Sequence, residues 1–279
     1  MIQISIRDAQ GALLAHSAHP DEALARVDRV YQPGDVIVIE SDAPHLIVQM
    51  DAAILPGEVY LPASRMTWPV PCGEHRLAYS PAAFTGARHI VTARAMTQGE
   101  TAARRNLARN PADLRGETDF FPHCTANVET RGESCFAARN VIDGMRHNDF
   151  HGEWPYQSWG IGAREDAWCL LDLGREVEID AMALTLRADF PHDAYWTHGH
   201  VVLSDGRELA FDLQKTADRQ HIPLGRHTVR WLRLERLQKS DDPSAFPALI
   251  EWEVFGRDLC IPVYAKPPGS SPGALLRDS

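Results

Sequence analysis

The sequence predicts an all-β protein of two β-sandwich domains joined by a short helical linker. Three observations carry this. Apolar runs are short and bounded by Gly, Pro or Asp. Residues 228–234 (TVRWLRL) and 249–255 (LIEWEVF) alternate apolar and polar side chains with period two, the signature of strands with one buried face. The segment richest in helix formers is confined to residues 96–110.

In residues 1–95, the runs 36–39, 45–50, 59–61 and 89–91 each follow a turn signal such as Pro33-Gly34-Asp35 or Pro56-Gly57, and read as strands of a small domain. Residues 21–31 (DEALARVDRVY) place apolar side chains at 23, 24, 27, 30 and 31, a spacing that suits a short amphipathic helix stopped by Pro33. In the linker, Thr97 and Glu100 have capping-box spacing, and Asn110-Pro111 ends the segment. Residues 111–258 carry strands at 168–173, 181–186, 200–203, 208–213, 228–234 and 249–255, with a hairpin turn at Ser204-Asp205-Gly206. Residues 259–279 form a Pro/Gly/Ser-rich tail.

The 279 residues are 44% apolar, with no run near the roughly 18 apolar residues of a membrane span. The start, MIQISIRDAQG, lacks signal-peptide layout, so a cytoplasmic location is expected. Cys72, Cys124, Cys135, Cys169 and Cys260 show no zinc-ribbon or redox spacing and read as free thiols. A formal charge of −10 and the lack of a basic run argue against nucleic acid. There is no P-loop, and Gly160-Ile161-Gly162 lacks the third glycine of a dinucleotide fingerprint, so no nucleotide cofactor is expected.

The chemistry concentrates in two polar, aromatic segments, HGEWPYQSWG and DFPHDAYWTHGH. Trp154, Trp159 and Trp196 lie in them and are candidates to stack on a sugar ring. Around them, Arg187 and His192 can donate, and Asp189, Asp193 and Glu153 can accept, the inventory a polyol requires. His147, Asn148 and His151 add further polar groups. His147 and His151 are four residues apart, and His198 and His200 would share a strand face, so both pairs are weak transition-metal candidates. Should the site be catalytic, His151 or His192 is the acid/base candidate, and Glu153, Asp189 and Asp193 are the carboxylates to consider. Trp168, Trp231 and Trp252 fall in strand patterns and read as packing residues.

Four pieces of the second domain resemble the discoidin, or coagulation-factor 5/8 type C, family, which includes family 32 carbohydrate-binding modules. Ala137-Ala138-Arg139-Asn140-Val141-Ile142-Asp143-Gly144 is similar to its opening motif. Trp168-Cys169-Leu170-Leu171-Asp172-Leu173-Gly174 resembles its Trp–hydrophobic–Asp-Leu-Gly strand, with Glu178-Ile179-Asp180 entering the next. Ile250-Glu251-Trp252-Glu253-Val254-Phe255-Gly256 resembles its closing strand. The resemblance covers roughly residues 111–258 and implies a galactose-binding-like jelly roll with ligand loops at one rim. It also implies a structural Ca²⁺ held by oxygen ligands, for which Asp143 and Glu251 are the matching acidic positions and Asn148 a third. The whole chain also resembles uncharacterised bacterial two-domain proteins usually called carbohydrate-binding.

The function that follows is carbohydrate recognition through those rim loops. Two alternatives remain: a cytosolic lyase or hydrolase acting on an oligosaccharide or sugar acid at the same rim, with Arg187 holding a carboxylate, and a protein-interaction module. Exposed edge strands leave a homo-oligomer open.

Overall fold

The computed structural model describes residues 1–147, 152–188 and 194–259. The first eight strands are β1 (Ile2–Arg7), β2 (Leu13–His19), β3 (Glu22–Val27), β4 (Val36–Ser41), β5 (His45–Gln49), β6 (Gly57–Tyr60), β7 (Arg65–Pro69) and β8 (His89–Ala95). They form two antiparallel four-stranded sheets, β2-β1-β4-β7 and β3-β8-β5-β6. Strict alternation in β1 sends Ile2, Ile4 and Ile6 inward, where Ile4 pairs with Ile39 and Ile6 with Ile37. Ala23, Ala25, Val91, Ala93 and Trp68 complete the apolar layer between the sheets.

β3 overturns the helix expected over residues 21–31. Ala23, Ala25 and Val27 are buried while Glu22, Leu24 and Arg26 face out. The same residues satisfy period two once alanine counts as an inward residue. β8 decides the matter, because it offers a ladder partner in register, Ala23 opposite Ala93 and Ala25 opposite Val91. A helix of this length would be marginal on its own.

The linker helix α1 is shorter than the composition suggests, spanning Gln98–Ala102. Its capping box is present: Glu100 N–H donates to the Thr97 hydroxyl and Thr97 N–H donates to the Glu100 carboxylate. The chain becomes extended at Ala103 and forms β9 (Arg105–Asn106). Tertiary contacts override the helical propensity of residues 103–110. Arg104 forms a two-pronged pair with Asp180, Arg105 bridges Glu58 and Asp258 at 2.5 Å each, and Leu107 and Ala108 are buried.

The second sandwich contains β10 (His123–Ala126), β11 (Trp159–Gly160), β12 (Cys169–Leu186), β13 (Trp196–Leu203), β14 (Glu208–Asp212), β15 (Gln220–Lys239) and β16 (Ala248–Asp258). Their order is β11-β16-β12-β15-β13-β14, antiparallel throughout, with β10 on β12 and β9 on β16. The two strands expected at 168–173 and 181–186 are halves of one long β12, whose register slips between residues 172 and 177 and again between 179 and 181. Two motif glycines have steric reasons. Gly174 turns the first slip with φ +69°, and a Cβ there would stand 2.3 Å from the Phe121 ring. A Cβ on Gly256 would stand 2.1 Å from the Glu178 carbonyl oxygen, where β16 crosses the second slip.

The two sandwiches are bonded together. Tyr60 and Phe121 exchange backbone hydrogen bonds at 2.7 and 3.0 Å, and Trp68 Nε1 donates to Ala112 O at 2.7 Å. Buried Arg139 donates to Pro111 O and Asp113 O and lies over the Tyr79 ring at 4.7 Å. The Ser134 hydroxyl and N–H both donate to Glu74. The loop from 130 to 147 is thereby fastened to the first domain. No helix among the described residues is long and apolar enough to cross a membrane.

Candidate functional site

At one rim of the second sandwich, three loops are locked around the end of β16. β11 pairs with the first residues of β16, Trp159 opposite Leu249 and Gly160 opposite Ala248. Arg187 follows β12 directly, and its N–H donates to Ala248 O at 2.9 Å. The Thr130 hydroxyl accepts from Gly162 N–H at 3.0 Å and fills the space a Cβ on Gly160 would need.

These loops enclose a cavity of about 440 Å³ whose walls include Arg131, Glu133, Phe136, Tyr156, Arg187 and Phe246. Phe246 is 55% exposed although large and apolar. The Arg131 guanidinium sits 5.4 Å from the Phe136 ring centroid and grips Glu133 with two nitrogens at 2.5 and 2.7 Å. Tyr156 meets Phe136 edge-on, centroids 6.3 Å apart.

The protonation states suit recognition. The Arg131 hydrogen bond holds the Glu133 carboxyl below its ordinary range, so it is an ionised acceptor at neutral pH. Burial and then the Cys135 thiol raise the Tyr156 phenol to about 12, which keeps it an O–H donor. Burial also raises the Cys135 thiol, so it is not a thiolate nucleophile. The cavity thus presents guanidinium and phenol donors, a carboxylate acceptor, and aromatic walls.

The sequence-predicted residues divide. Arg187 is buried in the cavity wall, and the same loop as Trp154 supplies Tyr156. Trp159 and Trp196 are corrected from ligand-stacking to core residues. They are 0% and 1% exposed, with rings 6.1 Å apart inside the second sandwich, so neither has a face for a sugar. Trp154 lies away from this rim, in a crevice of about 290 Å³ between the domains lined also by Leu55, Tyr79, Arg139 and Asp143. Glu153 is exposed. Asn148, His151, Asp189, His192 and Asp193 lie outside the described residues. The helical pairing of His147 with His151 loses its premise up to His147, because regular structure ends at Ile142 and residues 143–147 are irregular. His198 and His200 do share a face, but each Nδ1 is held by a carboxylate of β14, Asp212 at 2.8 Å and Glu208 at 2.6 Å. No group of three His, Cys, Asp or Glu among the described residues is placed to hold a metal. Cys72, Cys124, Cys135 and Cys169 are free thiols.

Phe246, Phe136, Tyr156, Arg131 and Glu133 were missed by the sequence reading. Phe246 carried a usable signal: an aromatic residue in a polar, proline-broken segment, SDDPSAFPAL, just before a strand. Arg131, Glu133 and Phe136 carried none, since only the fold brings residues 130–136 to that rim.

Asp143 and Glu251 come together beneath the 143–147 turn. Asp143 accepts from Met145 N–H at 2.8 Å, and Glu251 accepts from Gly144 N–H at 3.2 Å. Burial raises the Asp143 carboxyl to about 6 despite nearby Arg139. Burial, then the Asp143 charge, pushes Glu251 well above its usual range. Thr185, opposite Glu251 in the ladder, has a buried hydroxyl without a partner. Two mutually repelling carboxyls, with an unsatisfied hydroxyl opposite one of them in the ladder, are oxygen donors of the kind a hard cation such as Ca²⁺ takes.

No protein-family profile and no curated protein matches the chain. Several solved structures are similar to about half of it. The lectin domain of lectinolysin, complexed with Lewis B antigen, is 20% identical with a TM-score of 0.42, over 56% of this chain and 98% of that one. Chitosan-binding module 1 of a Paenibacillus sp. IK-5 chitosanase/glucanase is 17% identical with a TM-score of 0.39, over 55% and 99%. The family 32 carbohydrate-binding module of C. perfringens NanJ, in complex with galactose, is 14% identical with a TM-score of 0.37, over 47% and 91%. The last belongs to the family that the motif residues resemble. At these identities and scores, nothing about this chain's own ligand follows from the likeness.

Proposed function

We propose that this protein binds carbohydrate in the rim cavity of its second sandwich. The observation that carries the reading is the aromatic wall, with Phe246 held exposed beside Phe136 and Tyr156, set against Arg131, Arg187 and Glu133. An exposed aromatic ring offers its face to the C–H side of a pyranose, and the charged groups match hydroxyls as donors and acceptors. The groups that line the cavity among the described residues, two guanidiniums, a protonated phenol and an ionised Glu133 carboxylate, are donors and acceptors suited to holding hydroxyls. Recognition is therefore the better-supported reading of the rim.

Asp143 and Glu251 are proposed to hold a structural Ca²⁺, which would neutralise their charge and fix the turn that follows the opening motif. The function is tested by titrating a glycan panel calorimetrically while following each sugar by NMR. Binding without product formation is the expected result. Absence of binding to every glycan would sink the proposal, and product formation would replace recognition by catalysis.

A further inference from the structure

A second cavity, of about 490 Å³, adjoins the first and shares Ile161 and Pro247 with it as a common wall. Where the first has aromatic walls, the second is ringed by Arg164, Glu165, Gln238 and Lys239. Arg164 is paired with Asp166, and Lys239 Nζ donates to the Ser240 and Asp242 carbonyls, so both cations are held in place.

Two polar atoms of its lining residues are buried without any hydrogen-bond partner: Nε1 of Trp196, a residue 1% exposed, and the hydroxyl oxygen of Ser240. Buried polar groups in folded proteins are almost always satisfied, so two orphans among the residues lining one cavity call for a missing partner. An indole N–H can only donate, whereas a hydroxyl donates and accepts. Sugar hydroxyls, and the water carried in with them, supply groups of both kinds. An apolar ligand would leave both atoms unmet.

We infer that the two cavities are adjacent subsites of one groove, and that the ligand is an oligosaccharide of at least two rings spanning both. One ring lies against Phe246, Phe136 and Tyr156. The next places its hydroxyls among Glu165, Gln238, Lys239 and the Trp196–Ser240 wall. This rests on the first cavity being a sugar site. It accounts for Trp196 as a wall donor and not as the stacking platform its position in the sequence suggested.

The test is calorimetry on the full chain with galactose, glucose and N-acetylglucosamine and their β-linked di- and trisaccharides. For the sugar that binds, the disaccharide is expected to bind at least about tenfold tighter than the monosaccharide, equivalent to about 1.4 kcal/mol. The exposed-residue variant Glu165→Ala/Gln238→Ala is expected to bring the disaccharide down to the monosaccharide's affinity. Equal affinity for one, two and three rings would overturn the second subsite and leave the first standing. A gain from the second ring that survives in the double variant would also overturn it. If no saccharide binds, both readings fall together.

Discussion

The indole rings of Trp159 and Trp196 lie 6.1 Å apart in the core of the second sandwich, tilted by 35° to one another. One ring comes from β11 and the other from the first residue of β13, so the pair clamps the rim loops to the sandwich from inside. Truncating a buried tryptophan removes its transfer energy and leaves a cavity, at a cost of about 3–5 kcal/mol. Trp159→Ala is therefore expected to lower stability by that amount in urea denaturation. A stability change below about 1 kcal/mol would contradict its placement in the core.

The same pair shows where sequence reasoning reached its limit. Strand alternation in β15 and β16, the hairpin at residues 204–206 and the ordered motifs from Ala137 to Gly256 were legible, because each depends on local spacing. Whether a tryptophan in an irregular segment points out to solvent or back into the core is set by residues far away. Trp196 is turned inward by the register of β13 on β15, opposite Lys239. The β3 misreading has the same origin, since EALARV fits both periods and only β8 breaks the tie. Of the site, Arg187 was legible as a charged residue directly after a strand. The Arg131–Glu133 pair was not, because its approach to Phe246 spans more than a hundred residues of chain.

Phe246→Ala separates ligand binding from folding. The side chain is more than half exposed, and exposed substitutions usually change stability by less than about 0.5 kcal/mol. Loss of a stacking ring should weaken glycan affinity by about 1 kcal/mol or more, roughly fivefold. Calorimetry against the best glycan, beside a denaturation curve, measures both. Unchanged affinity with intact folding would remove Phe246 from the site.

His45 and Asp258 give the domain junction a definite acid response. Burial, reinforced by the Arg175 guanidinium, lowers the His45 imidazole from 6.5 to about 4. The unfolded chain therefore takes up this proton first as pH falls. The stability contributed by neutral His45 is full above pH 6.5 and is lost progressively down to about pH 4. Allowing for its partial exposure, the loss is about 1–3 kcal/mol. Burial alone would raise Asp258, but Arg175 and Arg105 outweigh it and hold the carboxyl below its ordinary 3.8. Its contribution is present above that value and disappears only at lower pH. His45→Gln should flatten the stability profile between pH 6.5 and 4.5 while keeping the steeper fall below pH 4. An unaltered slope in that variant would exclude His45 as its source.

The carboxylates at Asp143 and Glu251 respond in the opposite sense. Their pKa values are raised in the folded chain, so the metal-free protein is favoured when they are protonated and loses stability as pH rises from the ordinary carboxylate range through about 6. A bound divalent cation would reverse this, because it requires both groups ionised. Calcium should therefore raise the melting temperature more at pH 8 than at pH 5.5, and a chelator should undo the rise. At a concentration about a hundred times its Kd, the gain would be about 2.7 kcal/mol. Glu251→Gln, which keeps the shape and removes the charge, should abolish the calcium response and raise metal-free stability at pH 8. A melting temperature indifferent to calcium at both pH values, in the presence of a raised metal-free stability for the Gln variant, would show that the two carboxylates share a proton instead of a metal.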